Sequence, residues 1–262
     1  DNGQLVFNRT GIVTNTGSIT GTGSVTNDGP GTVILAANNS YSGGTTINAG
    51  TVQVGNGGAT GSLNATAPVV NNGTFIFNST GSLTLSGNGL ISGTGNVIVR
   101  GAGNLLQALG ANTYTGWTLI EPGATFQPAQ GNQGALASSV VTNNGTFKLV
   151  RQDNGVFIYA GPVVGTGKVL VDANNVNNGD VTLTGTNTYT GDTWIANNIL
   201  ILGDGVTPGS GAIVGNVIFT NSTTPNSNPR RLVFNRPDDF TFPGLITYDT
   251  NLAFGVRGIV EQ

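Results

Sequence analysis

One short pattern returns three times along this chain, and its spacing restricts the fold more than any other feature. Asn39-Ser40-Tyr41-Ser42-Gly43 recurs as Asn112-Thr113-Tyr114-Thr115-Gly116 and as Asn187-Thr188-Tyr189-Thr190-Gly191, with the tyrosines 73 and 75 residues apart. Gly21-Thr22-Gly23, Gly93-Thr94-Gly95 and Gly165-Thr166-Gly167 keep the same period, at 72 and 72. A third marker, Leu5-Val6-Phe7-Asn8-Arg9, returns as Phe75-Ile76-Phe77-Asn78-Ser79 and Phe147-Lys148-Leu149-Val150-Arg151. It then returns unchanged as Leu232-Val233-Phe234-Asn235-Arg236. The last interval is longer, and Ser222 to Pro229 reads as an inserted loop. The repeats span approximately residues 5–74, 75–146, 147–231 and 232–262, the last incomplete. Markers that hold both order and spacing point to a stacked repeat architecture. A unit of 72–75 residues is too long for one coil and fits about three coils of roughly two dozen residues. The chain would then form around eleven coils, a rod on the order of 50 Å long at a strand spacing of about 4.8 Å.

Within the unit the apolar residues alternate. In Thr45-Thr46-Ile47 and Thr51-Val52-Gln53-Val54, the side chains of Ile47, Val52 and Val54 face a core, and Thr46, Thr51 and Gln53 face water. Ile195, Leu200 and Leu202 take the inward positions in the third copy. Asn-Asn-Gly, Asp-Gly and Gly-Thr-Gly separate the runs, because Gly and Asn tolerate positive φ at tight turns. No 3.6-residue stripe of useful length appears. The expected fold is all-β: a right-handed parallel β-helix, or β-solenoid, with its hand set by sheet chirality. Composition agrees. Hydrophobic residues make up only 37% of the chain and 43 residues are Gly, which suits the narrow core of a solenoid better than a large globule.

The residues around each tyrosine resemble the passenger domains of bacterial autotransporters (type V secretion). Their strand repeat reads approximately as L-x-L followed by G-x-N-T-Y-T-G-x-T-x-I-x-x-G-T-L-x-L-G. Val33-Ile34-Leu35 followed by Asn38 to Gly55 matches closely. Gly110 to Gly123 matches and then departs at Ala124 to Pro128; Gly185 to Gly203 matches with Asn198 where Gly is expected. The resemblance implies export to the cell surface or release. It also implies a longer natural protein, with a signal peptide upstream and a membrane β-barrel downstream of this stretch. The membrane would be met only through that barrel.

The chemistry is sparse. The chain has no His and no Cys, so it has no Ser-His-Asp triad, no cysteine nucleophile and no ordinary zinc site. No cofactor or metal is expected. A net charge of -3 with no basic stripe argues against nucleic acid. Paired carboxylates are the remaining catalytic route. Asp238-Asp239 is the one adjacent pair, and neighbouring strand residues diverge, so it reads as a solvated corner. Gly203-Asp204-Gly205 reads as a turn, since a calcium roll needs a tandem series. The chain is therefore expected not to be an enzyme.

Aligning the copies on the tyrosine leaves one functional signal. Thr46 becomes Leu119 and then Trp194; Thr51 becomes Ala124 and then Ile199; Gln53 becomes Phe126 and then Ile201; Trp117 adds an aromatic. Trp117, Leu119, Phe126, Trp194, Ile199 and Ile201 form a candidate contact surface, because clustered exposed apolar side chains mark interaction sites. The competing explanation is a one-residue slip, which exchanges the two faces of a strand, or a covering loop such as Ser222 to Pro229. The recurrent tyrosines read as structural. The expected function is adhesion or self-association, as in cell aggregation or biofilm, with like molecules on neighbouring cells or a host surface protein or glycan as partners. The alternatives are a stalk that presents another domain and a carbohydrate-active β-helix.

Overall fold

A computed structural model describes residues 2–86, 90–128, 135–151, 155–172, 179–221, 230–249 and 258–262. Among these residues there are strands and turns but no helix, and the strands pair in parallel throughout. The chain winds into a β-solenoid with three sides. Side one begins with β1 (Gln4–Phe7), β3 (Ser24–Asn27), β5 (Thr45–Ile47), β7 (Val69–Asn71) and β10 (Ile91–Ser92). It passes through the short pair β13 (Ala111–Asn112) and β16 (Ala135–Leu136), which touch β10 and β19 (Val156–Tyr159). From there it continues through β22 (Asp180–Leu183), β24 (Ile199–Leu202), β26 (Arg230–Phe234) and β28 (Gly258–Glu261).

Side two is an eight-stranded sheet: β2 (Ile12–Asn15), β4 (Thr32–Leu35), β6 (Thr51–Val54), β8 (Thr74–Phe77), β11 (Asn96–Val99), β14 (Thr118–Ile120), β17 (Val141–Asn143) and β20 (Val163–Val164). Side three is also eight-stranded: β9 (Ser82–Leu85), β12 (Leu105–Ala108), β15 (Thr125–Gln127), β18 (Thr146–Val150), β21 (Lys168–Asp172), β23 (Thr193–Ile195), β25 (Val217–Phe219) and β27 (Ile246–Tyr248).

The core is the column between the sides. Ile47, Val52, Val54, Ile195 and Leu200 are fully buried and Leu202 nearly so, as the alternation predicts. Each such aliphatic side chain contributes roughly 1.5–3 kcal/mol by leaving water. Phe75, Phe77, Phe126 and Phe147 widen the column in the middle of the rod, where the Phe126 and Phe147 rings stack at 6.2 Å. Buried asparagines close the corners. Asn71 donates to the Asn96 carbonyl at 2.8 Å and accepts from Gly73 N–H, and Asn143 repeats this with Lys168 at 2.9 Å and Gly145.

The register corrects the expected relation between repeat and coil. From β1 the stack steps to β3, β5 and β7, three coils, before the next copy opens with β8, one side further on. From β8 it steps through β11, β14 and β17, and the third copy opens with β18 on side three. From β18 it steps through β21, β23 and β25, and the fourth opens with β26, back on side one. Each repeat is thus three full coils plus one side, and successive copies of a motif face different directions. The inserted loop assigned to Ser222–Pro229 lies outside the described residues.

Candidate contact surfaces

The recurrent pentapeptide is a corner device and not a binding site. Tyr41, Tyr114 and Tyr189 are buried, and each hydroxyl lies 2.6 Å from the hydroxyl of a threonine four residues on: Thr45, Thr118 and Thr193. The asparagine two residues before each tyrosine bridges coils. Asn39 Oδ1 accepts from Ile19 N–H, and its Nδ2 donates to the Ser62 carbonyl at 3.1 Å. Asn112 accepts from Ile91 N–H and donates to Ala108 and Ala135, while Asn187 accepts from Val163 N–H and donates to Gly185 and Ala212. Gly43, Gly116 and Gly191 lie against the carbonyls of Gly23, Gly95 and Gly167 one coil back, where a Cβ has no room. The motif N-x-Y-x-G-x-T therefore satisfies one corner of the rod completely, and burial pushes the phenols up, to about 12 for Tyr41.

The six candidate contact residues do not share a surface. Trp117 and Leu119 lie on side two, Trp194 on side three, and Ile199 and Ile201 on side one. The extra third of a turn in every repeat separates them, so equivalent positions in successive copies look out in different directions. Phe126 is a correction. It is fully buried and stacked on Phe147, and Ala124 is buried too. Gly123-Ala124-Thr125 carries one more residue than Gly50-Thr51. Thr125 therefore takes the place of Thr51, and Phe126 that of the inward Val52. The one-residue slip is real at this position. The remaining five side chains point outward and are half-buried, or in the case of Trp117 38% exposed.

Three of the five stand in outward rows that motif alignment missed. On side two, Leu119 stands in one outward row with Ile34, Gln53, Ile76, Ile98, Thr142 and Val164. On side three, Trp194 lies between Leu170 and Ile218, with Lys168 Nζ 5.2 Å from its ring centre. On side one, Ile201 lies between Thr182 and Val233, with Ile158 beyond at 57% exposure. The signal that finds these rows is the single-coil spacing, as from Ile76 to Ile98 to Leu119, and not the long repeat. Gln53 is outward but only 7% exposed, its amide donating to the Gly55 carbonyl at 2.8 Å. The suggested cover, Ser222–Pro229, lies outside the described residues.

The carboxylates singled out earlier are engaged locally. Asp204 accepts from the backbone N–H groups of Thr207 and Val206 and from the Ser210 hydroxyl, and these bonds hold its carboxyl well below the usual carboxylate range. Asp238 pairs with Arg236 at 2.7 Å, which lowers it as well. The Arg236 guanidinium also covers the Phe240 ring at 4.4 Å.

The architecture defines a class, the elongated repeat solenoid with a continuous core and three outer sheets. Comparison with known proteins specifies it. Residues 25–54, 97–125 and 177–197 match the passenger-associated-transport-repeat family, and each stretch includes one Asn-x-Tyr-x-Gly corner. A 53-residue stretch is 47% identical to the adhesin BmaC autotransporter of Brucella suis biovar 1 (strain 1330); it covers 20% of this chain and 2% of that protein. No solved structure matches the chain. The sequence matches support an autotransporter passenger with repeats, exposed outside the cell at the bacterial surface or released from it.

Proposed function

We propose that this segment acts as a contact module in adhesion at the cell surface, with like molecules on neighbouring cells or a host protein or glycan as its partner. The observation that carries this reading is the outward row on side two, where half-buried Ile34, Ile98 and Leu119 flank the nearly covered Gln53 and Ile76 (7% and 8% exposed), with Trp117 beside it at 38%. Apolar side chains that reach the surface together commonly mark interaction sites, which supports this reading. Similarity over 53 residues to a protein named as an adhesin supports the same reading. We further propose that the segment is not catalytic. A carboxylate pair for glycoside hydrolysis needs one member raised to act as acid, whereas Asp204 and Asp238 are both lowered.

Microspheres coated with the purified chain test the reading against cultured host cells and against one another. Coated spheres are expected to attach or cluster well above albumin-coated ones. Trp117→Ser is expected to reduce this several-fold with unchanged circular dichroism. Spheres inert toward both would leave the chain a stalk that presents something else, and release of sugar from a glycan would overturn the non-catalytic reading.

A further inference from the structure

One corner of the rod loses its aromatic ring for a single coil. Gly215 lies against the Gly191 carbonyl and Gly244 against the Gly215 carbonyl, which sets the register of three successive coils. Two residues before these glycines stand Tyr189, Ile213 and Phe242. Tyr189 is fully buried, Ile213 nearly so and Phe242 half-buried. An isoleucine between two aromatic residues leaves part of a ring's volume unfilled, whereas protein cores pack as densely as organic crystals. The backbones do not close the gap. Among the described residues no backbone hydrogen bond joins residues 212–214 to 241–243, and Pro243 has no N–H to offer. A cavity of about 260 Å³ opens between these two coils. Leu202 and Phe234 reach it from the core, and Phe240 and Phe242 wall it, with ring centres 5.0 and 5.7 Å from that of Phe234 and tilts of 53° and 50°. Arg236 is the one charged residue of the lining. It gives Nε and Nη2 to the Asp238 carboxylate at 3.1 and 2.7 Å, and its side chain is only 9% exposed.

We propose that this cavity binds one neutral aromatic ring carrying a hydroxyl or N–H, the chemistry of a phenol or an indole. The ring takes the room that a corner tyrosine fills one coil earlier. An apolar cavity of about 150 Å³ suffices to bind benzene, so this one, at about 260 Å³, admits a substituted ring. Tilted phenylalanines offer an entering ring both edge and face contacts. The charge of the lining is already balanced, because Arg236 is held by Asp238. A carboxylate or ammonium group would lose its hydration there without gaining a free counter-charge. Arg236 and Thr241 are the polar residues of the lining, and they offer partners to a single hydroxyl or N–H on the ring. The same chemistry comes from two sources, a free aromatic molecule or the tyrosine or tryptophan side chain of a partner protein. The pocket shares no residue with the outward row of side two, so it stands apart from the adhesion reading.

Titration of the full chain with p-cresol, followed by NMR of labelled isoleucine methyl groups, tests this. Saturable binding with Kd on the order of 1 mM is expected. The Ile213 methyl signals, assigned through Ile213→Val, should shift, and those of exposed Ile12 and Ile158 should stay in place. The saturated ring of the same size, 4-methylcyclohexanol, should bind roughly fivefold more weakly. Ile213→Phe, which restores a ring to the corner column, should weaken p-cresol by roughly tenfold or more. Should that variant fail to fold, the methyl shifts of the wild-type chain decide. The peptide acetyl-Gly-Tyr-Gly-amide separates the two sources. Binding that moves the Ile213 methyls supports a partner's side chain as the occupant, and p-cresol binding without peptide binding supports a free aromatic. Absence of p-cresol binding overturns the proposal. So does binding that leaves the Ile213 methyls unmoved, and so does binding no tighter than that of the saturated ring.

Discussion

At the residue scale, the repeat conserves hydrogen bonding more than hydrophobicity. Tyr114 shows why. Its hydroxyl bonds the Thr118 hydroxyl, which bonds Ser138 Oγ at 2.9 Å, and Tyr159 donates to the Ser138 carbonyl from the next coil. Such a buried network stabilises the fold only while every member is paired. Burial favours the neutral phenol, so the folded chain holds its four buried tyrosines above the ordinary value of 10.0. Up to that pH both states keep the proton and the stabilisation is complete. Above it the unfolded chain ionises first, and stability falls as pH climbs toward about 12 at Tyr41, with the other three lying higher still. Tyrosinate absorbance and loss of β-sheet dichroism are therefore expected to rise together above pH 10. Ionisation of more than one of the five tyrosines in a still-folded chain would contradict the burial argument, since Tyr248 alone is exposed. Asn198 meets a different demand. It stands where the other copies have Gly50 and Gly123, keeps the positive φ (71°), and donates to the Arg151 carbonyl at 2.7 Å. Asparagine tolerates this conformation better than most side chains.

At the element scale, the corners are set by how closely one coil approaches the next. Gly116 lies against the Gly95 carbonyl, so Gly116→Ala must push two coils apart or bend the chain. The expected cost is about 2 kcal/mol, as for an overpacked core. Gly58 has no atom near its missing Cβ and an ordinary φ, so Gly58→Ala serves as the near-neutral control. Chemical denaturation of the two variants checks the difference. Equal stabilities would mean that the corner has slack the structure does not show.

At the scale of the whole molecule, three coils plus one side per repeat give the rod a screw symmetry. A motif turns by one side each time it recurs, so no side is built from one kind of strand, and the Asn-x-Tyr-x-Gly corners wind around the rod. Removing residues 75–146, one complete repeat, joins Thr74 to Phe147 in a sequence context like the native Thr146-Phe147. Every later strand should then move by one side and find an equivalent neighbour. The shortened chain is expected to keep its β-sheet dichroism and cooperative thermal unfolding. An unfolded product would show that the copies are not interchangeable.

The sequence alone determined the repeat, the parallel solenoid and the inward positions, because alternation and turn residues are local signals and a period is a property of order. It also showed that the tyrosines are structural, since a side chain that returns at one register among glycines has a neighbouring coil to pack against. What it left open was direction. Phe126 reads as outward until the extra residue at Ala124 is counted through the turn, and Trp117, Trp194 and Ile199 read as neighbours until the coil length is known. Which residues share a side depends on the repeat divided by the coil, and the coil length is set by strand pairing between distant residues such as Ile98 and Leu119. That pairing exists only in the folded chain.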